Sequence, residues 1–107
     1  MDRFIEKFLR YLEIEKNASN HTILNYKLDL RDFKKFLQDN PAEGVYYLTL
    51  RRYLVYLKEG NLTNRTISRR ISCLRSFYKF LFREGLIKSN PVLMLSTPKQ
   101  DKMLPIF

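Results

Sequence analysis

The sequence is poor in the residues that build metal centres, disulfides and most catalytic sites. Its 107 residues include one cysteine (Cys73), one histidine (His21) and no tryptophan. A single cysteine excludes an internal disulfide and a thiolate metal cluster. One histidine and one cysteine also leave no zinc site, no Cys–His pair and no serine triad to assemble. We therefore expect no cofactor, metal, small-molecule substrate or catalytic residue in this chain, and Cys73 is interpreted as a buried or half-buried helix residue.

Glycine and proline are also scarce, at three and four residues. This favours long helices over a many-stranded sheet. Apolar runs are short, so no segment predicts a membrane span. The first seven residues carry charges where a secretory signal needs an apolar core, and we expect a cytoplasmic protein. The length and the 45% hydrophobic share fit one compact domain.

The formal net charge of +9 is concentrated in the second half of the chain. Residues 1–60 hold 11 Lys and Arg against 9 Asp and Glu, whereas residues 61–107 hold 9 against 2. A basic half of this kind predicts a polyanionic partner. Nucleic acid is the first candidate. An anionic lipid surface is a weaker one, because it requires an amphipathic segment that is free to lie on the membrane.

Apolar residues recur at helical spacing in four segments. The predicted helices span residues 2–13, 20–39, 49–59 and 63–84, and no sheet is predicted. Polar N-caps and terminal glycines mark their ends: Ser19 or Asn20, Thr49 and Thr63 begin the second, third and fourth helices, and Gly60 and Gly85 end the third and fourth. The predicted fold class is all-α, a bundle of four main helices.

One face of the fourth predicted helix carries cations and hydroxyls and no carboxylate. Between Gly60 and Glu84 there are six basic residues and no acidic one. A solvated helix face usually mixes signs, because ion pairs stabilise it and like charges repel, so this face predicts an anionic partner. A simple solvated basic face is the alternative. The face comprises Arg65, Ser68, Arg69, Ser72, Arg75, Ser76 and Lys79. Arg70 lies off this face, and we expect it to pair internally or pack along a neighbouring helix.

The first turns of the second and fourth helices are a further candidate for anion binding. They read Ser19-Asn20-His21-Thr22 and Thr63-Asn64-Arg65-Thr66. Free backbone N–H groups and the positive end of the helix dipole attract phosphate at such termini. We expect the two termini to clamp a duplex backbone.

Two carboxylates, Asp29 and Asp32, lie one turn apart on the second helix. This spacing fits a metal ligand pair or an acid–base pair. The neighbouring Arg31, Lys34 and Lys35 favour surface ion pairs instead, and we interpret the carboxylates in that way.

Several short motifs occur in order along nearly the whole chain. They are Ser19-x-x-Thr22-x-x-x-Tyr26-x-x-Asp29-Leu30-x-x-Phe33-x-x-Phe36-Leu37, residues 50–54 (LRRYL), residues 66–81 (TISRRISCLRSFYKFL), Gly85-Leu86-Ile87, Asn90-Pro91, Pro98-Lys99 and Leu104-Pro105. In this order and spacing the set resembles the core-binding domain of tyrosine recombinases, the phage-integrase family, and is most similar to the Xer-type recombinases.

The resemblance implies an orthogonal, SAM-like four-helix domain over residues 1–97, with residues 98–107 beginning a linker. Such a domain embraces one face of duplex DNA, and a separate C-terminal catalytic domain embraces the other. The family's nucleophilic tyrosine and its arginine, lysine and histidine partners belong to that catalytic domain. We therefore expect this chain to bind DNA without cutting it.

Matching positions in the family imply contacts from the N-terminal parts of two helices to the major groove. These residues are Ser19, Thr22 and Asn25 on the second helix, and Arg65, Thr66, Arg69 and Ser72 on the fourth. The capped first turn adds Asn20, the cationic face adds Ser68 and Arg75, and the linker adds Lys99 and Lys102, which would cross the DNA backbone.

The leading hypothesis is sequence-specific binding of duplex DNA, as the N-terminal clamp of a site-specific tyrosine recombinase that acts with other protomers. Xer-type chromosome-dimer resolution is preferred to phage or transposon integration. The alternative is a helical protein-interaction module whose basic face meets an acidic partner. A steep loss of DNA affinity with salt would distinguish the first from the second.

Overall fold

Four α-helices and one short 3-10 helix make up the fold. The computed structural model describes residues 1–38, 40–93 and 95, with the backbone alone at residue 43. The elements in chain order are α1 (Asp2–Ile14), α2 (Asn20–Leu37), the 3-10 helix (Ala42–Gly44), α3 (Tyr47–Glu59) and α4 (Asn64–Arg83). No β-strand occurs among the described residues, and the all-α prediction with four main helices is confirmed.

Helix α3 begins two residues before the predicted start. Its N-cap is Tyr46, and Thr49 lies in the first turn, so the prediction that Thr49 caps this helix is wrong. The Thr49 hydroxyl accepts a hydrogen bond from the backbone N–H of Tyr46 at 3.3 Å. The threonine therefore still satisfies a backbone group at the helix start, but it does so from inside the helix.

Helices α2, α3 and α4 are each followed by a residue with left-handed backbone conformation, and only one of these residues is a glycine. Gly85 follows α4 with φ of 75°, as predicted for a terminal glycine. Gly60 caps α3 with φ of −81°, and the left-handed residue is the next one, Asn61, with φ of 62°. Asparagine tolerates this conformation better than most residues. Helix α2 ends at Leu37 because Gln38 turns to φ of 58°.

Helix α4 lies at the centre of the bundle and contacts each of the other three helices. Eight of its 20 residues are buried. They occupy one side of the helix, because residues three and four apart share a face. The opposite side is left for solvent or a partner, and this position of α4 determines where its cations lie.

Phe8 of α1 is the aromatic centre of the core, with none of its side chain exposed. Its ring lies 6.0 Å from that of Tyr26 on α2. Its distances to the α4 rings are 5.5 Å for Phe77 and 5.6 Å for Phe80. One side chain thus joins three helices, and aromatic pairs at such distances are favourable.

Replacing Phe8 with alanine should therefore destabilise the domain by about 3–5 kcal/mol, because it leaves a cavity where three helices meet. Urea unfolding followed by circular dichroism would measure the loss. Phe82→Ala is the matched control, since Phe82 is 50% exposed, and it should cost about 1 kcal/mol or less. Equal losses in the two variants would contradict this description of the core.

Candidate nucleic-acid interface

The first turns of α2 and α4 have the same capping geometry. Ser19 Oγ accepts the backbone N–H of Thr22 at 3.1 Å and donates to Thr22 Oγ1 at 3.0 Å. Thr63 Oγ1 accepts the N–H of Thr66 at 3.2 Å and donates to Thr66 Oγ1 at 3.1 Å. Each cap satisfies the backbone N–H of the third residue of its helix. The positive end of the helix dipole lies at each of these first turns and attracts an anion.

Helices α2 and α4 cross through their middle segments. Tyr26 O lies 4.0 Å from Cys73 Sγ, and the Phe33 and Tyr78 rings lie 6.3 Å apart. The capped first turns lie about two turns from this crossing on each helix. Asn25 is half-buried close to the crossing, whereas Asn20 is exposed at the start of α2.

The predicted cationic face of α4 includes side chains that are free of ion pairs. Arg65, Ser72 and Lys79 are exposed, and none forms a hydrogen bond or ion pair with another described residue. Ser68 and Thr66 are half-buried on the same helix. Arg65 lies in the first turn, where its charge adds to the positive end of the helix dipole.

Arg75 forms a hydrogen bond within the protein that its position on the cationic face did not predict. Its Nη2 donates to the backbone carbonyl of Leu95 at 2.6 Å, and its side chain is half-buried. The residue fastens the segment after α4 to the helix. It lies close to the apolar side of α4, where another part of the chain packs.

Arg69 and Arg70 form a chain of polar contacts that runs from α3 to the surface. Tyr53 Oη donates to Asp32 Oδ2 at 2.8 Å, and Arg70 Nη1 donates to the same oxygen at 2.7 Å. Arg70 Nε lies 3.7 Å from Asp29 Oδ1. Arg69 Nη2 donates to that Asp29 oxygen at 3.1 Å. The expected internal pairing of Arg70 is thus confirmed.

The interpretation of Asp29 as a surface ion pair with its neighbours on α2 is wrong. Its side chain is only 4% exposed, and its cationic partners, Arg69 and Arg70, are on α4. Asp29 lies at the edge of the apolar stripe of α2, between Tyr26 and Leu30 in sequence, so packing against α4 buries it. Such an ion pair between helices can be expected where a carboxylate borders the apolar stripe of one helix and an arginine borders that of the other.

Burial raises the pKa of three groups near the contact between α2 and α4. It raises the pKa of the Asp29 carboxyl, against the opposing effect of Arg69 and Arg70. Burial and the adjacent Asp32 raise the pKa of Tyr53, so its phenol stays protonated and donates. Burial also raises the pKa of the Cys73 thiol, which is fully enclosed, the first of the two predicted alternatives.

Within the part of the chain that the structure describes, no cluster of His, Cys, Asp and Glu is suited to hold a metal ion. No helix there is both long and apolar enough to span a membrane. The proposed linker, with Lys99 and Lys102, lies outside the described residues.

The fold and its cation-rich helix define a small, basic, all-α domain. The chain belongs to the phage-integrase N-terminal SAM-like domain family, which matches residues 5–85. It is 50% identical to tyrosine recombinase XerC of Bacillus licheniformis, over 97% of this chain and 35% of that protein. It is 46% identical to the XerC proteins of Halalkalibacterium halodurans, over 99% of this chain and 36% of that protein, and of Bacillus subtilis, over 97% and 35%.

The chain therefore spans about a third of the length of these curated relatives, and it matches their N-terminal third. The Xer-type resemblance stated from the motifs is confirmed. No solved structure matches the chain.

Removing the Tyr53 hydroxyl should lower the free energy of unfolding by about 1 kcal/mol, because Asp32 loses one hydrogen bond and retains Arg70. Thermal or urea unfolding of Tyr53→Phe would test this. Tyr56→Phe, one turn away on α3, is the matched control, since Tyr56 is 45% exposed and its hydroxyl has no hydrogen-bond partner among the described residues. A loss of similar size in the control would contradict a specific Tyr53–Asp32 bond.

Proposed function

We propose that this domain binds duplex DNA sequence-specifically, as the N-terminal clamp of an Xer-type site-specific tyrosine recombinase. The observation that carries the proposal is the second side of α4. This side carries Arg65 and Lys79 without carboxylate partners among the described residues, and Arg65 lies in the capped first turn of the helix. Such a surface binds phosphates through Coulombic attraction and backbone N–H groups.

The family match and the XerC relatives support the same proposal. In the intact protein we expect the domain to act with other recombinase protomers, in resolving chromosome dimers rather than in phage or transposon integration. Residues 1–97 would form the DNA-binding domain, and residues 98–107 would begin the linker to a catalytic domain. The residues proposed to contact DNA are those named from the sequence, including Lys99 and Lys102 on the linker.

The alternative function, binding of an acidic protein partner, has one observation in its favour. Leu48 and Val55 of α3 are exposed beside Arg51 and Arg52. A mixed apolar and cationic surface of this kind suits an acidic protein partner. The two functions differ in salt dependence, because release of counterions from DNA makes binding fall steeply with salt.

Arg65→Ala should weaken binding to all duplexes alike and reduce the slope of log affinity against log salt by about one unit, because one phosphate contact is lost. Fluorescence anisotropy with labelled duplexes at several salt concentrations would measure both quantities. Arg31→Ala, an exposed arginine of α2, removes the same charge and should change little. A control that loses as much affinity as Arg65→Ala would mean that the proposed surface is wrong.

We also expect the 107-residue chain to leave DNA intact. Its one histidine and one enclosed cysteine supply no nucleophile–base set, and the family's catalytic residues belong to another domain. The test is to incubate the chain with supercoiled plasmid that carries a site selected by the protein from a random library. Nicked circles, or protein attached covalently to DNA, would contradict the expectation.

A further inference from the structure

Arg69 differs from the other cations on its side of α4. Among the described residues, Arg69 and Arg83 are the cations on that side of α4 that pair with a carboxylate. Arg83 contacts its exposed neighbour in sequence, Glu84, at 3.6 Å, whereas the partner of Arg69 is the buried Asp29 of α2. Arg75 bonds a carbonyl, and Arg65 and Lys79 form no ion pair. An ion pair weakens the attraction of an arginine for phosphate, because the adjacent anion repels the phosphate charge. Arg69 is thus poorly suited to act as a phosphate clamp.

The geometry of the pair instead suits an arginine that must be held in one orientation. Asp29 is 4% exposed and Arg69 is 49% exposed, so the carboxylate holds the inner edge of the guanidinium and the outer edge remains open. One Nη2 bond of 3.1 Å joins them. A guanidinium carries several N–H donors in a rigid plane, and the remaining ones are available for a second, two-bond contact.

Asp29 also lies close to a second arginine, which approaches the same carboxylate oxygen as Arg69. Arg70 Nε lies 3.7 Å from it, and Arg70 is bonded to Asp32 at 2.7 Å. Asp32 also accepts the Tyr53 hydroxyl at 2.8 Å. The orientation of the Arg69 side chain is thereby connected to the buried core through α2 and α3. An anchored side chain loses less conformational entropy on binding, which is the basis of preorganisation.

We propose that Asp29 is a positioning residue that orients Arg69 so that its outer edge reads a guanine in the major groove. The inference rests on the proposed DNA binding and assigns a specificity determinant to that surface. Guanine presents two acceptors, O6 and N7, on an uncharged base edge, and the planar fork of arginine matches both. Orientation therefore matters more than net charge for this contact, whereas for Arg65 charge matters most.

The test begins with a duplex selected by the unaltered chain from a random-sequence library. Affinities for this duplex and for a scrambled one are then measured for the unaltered chain and for Asp29→Asn. The ratio of the two affinities should fall by about tenfold or more in the variant. Affinity for the scrambled duplex should stay equal or rise, because the variant has gained one positive charge. Asp2→Asn, an exposed carboxylate paired with Lys34 on the α1 side of α2, makes the same charge change and should leave the ratio unaltered.

A second readout identifies the base. Replacing each guanine of the selected duplex with 7-deazaguanine removes the N7 acceptor at one position at a time. The unaltered chain should lose affinity at one guanine, and both Asp29→Asn and Arg69→Lys should have lost that sensitivity. Arg69→Lys retains the charge and leaves the contacts of Asp29 with Arg70 in place, so it gives an answer even where Asp29→Asn fails to fold.

The possible failures can be distinguished. An unaltered chain that binds no duplex, or binds all duplexes equally, overturns the proposed function itself. A selective chain whose Asp29→Asn variant is equally selective overturns the positioning role of Asp29 alone. Tighter binding of the selected duplex by Asp29→Asn also overturns it, because Asp29 would then restrain Arg69 rather than orient it. Where Asp29→Asn does not fold, undiminished selectivity and undiminished 7-deazaguanine sensitivity in Arg69→Lys overturn it.

Discussion

Helix α4 buries one of its sides against the three other helices, and this packing fixes the orientation of its exposed cations. Each large apolar side chain that is fully buried contributes about 1.5–3 kcal/mol, and α4 buries eight residues. Repulsion between like charges on its other side costs only a few tenths of a kcal/mol per pair. The packing term is the larger one, so the helix keeps its orientation although its exposed cations repel each other.

This orientation also explains the position of the polar chain between Tyr53 and Arg69. When α2 packs across α4, the residues at the borders of the two apolar stripes meet, and these residues are Asp29 on α2 and Arg69 on α4. A buried ion pair is a poor source of net stability, because removing two charges from water costs about as much as their attraction returns. Stability alone therefore gives no reason for a carboxylate at position 29, whereas an orienting role does.

Much of the fold could be predicted from the sequence, because helix period and capping are local properties. The cap of α4 was readable as Thr63, and Ser19 was one of two candidates, with Asn20, for the cap of α2. The start of α3 was predicted wrongly because threonine is a favourable cap residue. Thr49 instead lies in the first turn, since the start of α3 depends on the path of the chain after the 3-10 helix. The family could also be read from ordered motifs, since the family keeps their order and spacing.

The candidate site also has features that the sequence predicted and features that depend on tertiary packing. The fold class, the family and the side of α4 that carries the cations could be read from the chain, because helical period and the order of motifs are properties of the sequence. Which of those cations are free of partners depends on how the helices pack. Arg65 and Lys79 form no ion pair with a described residue, Arg75 is bonded to the Leu95 carbonyl, and Arg69 is paired with Asp29. An ion pair or hydrogen bond forms only where groups from different segments come within about 4 Å, and that distance is set by the packing of helices against each other.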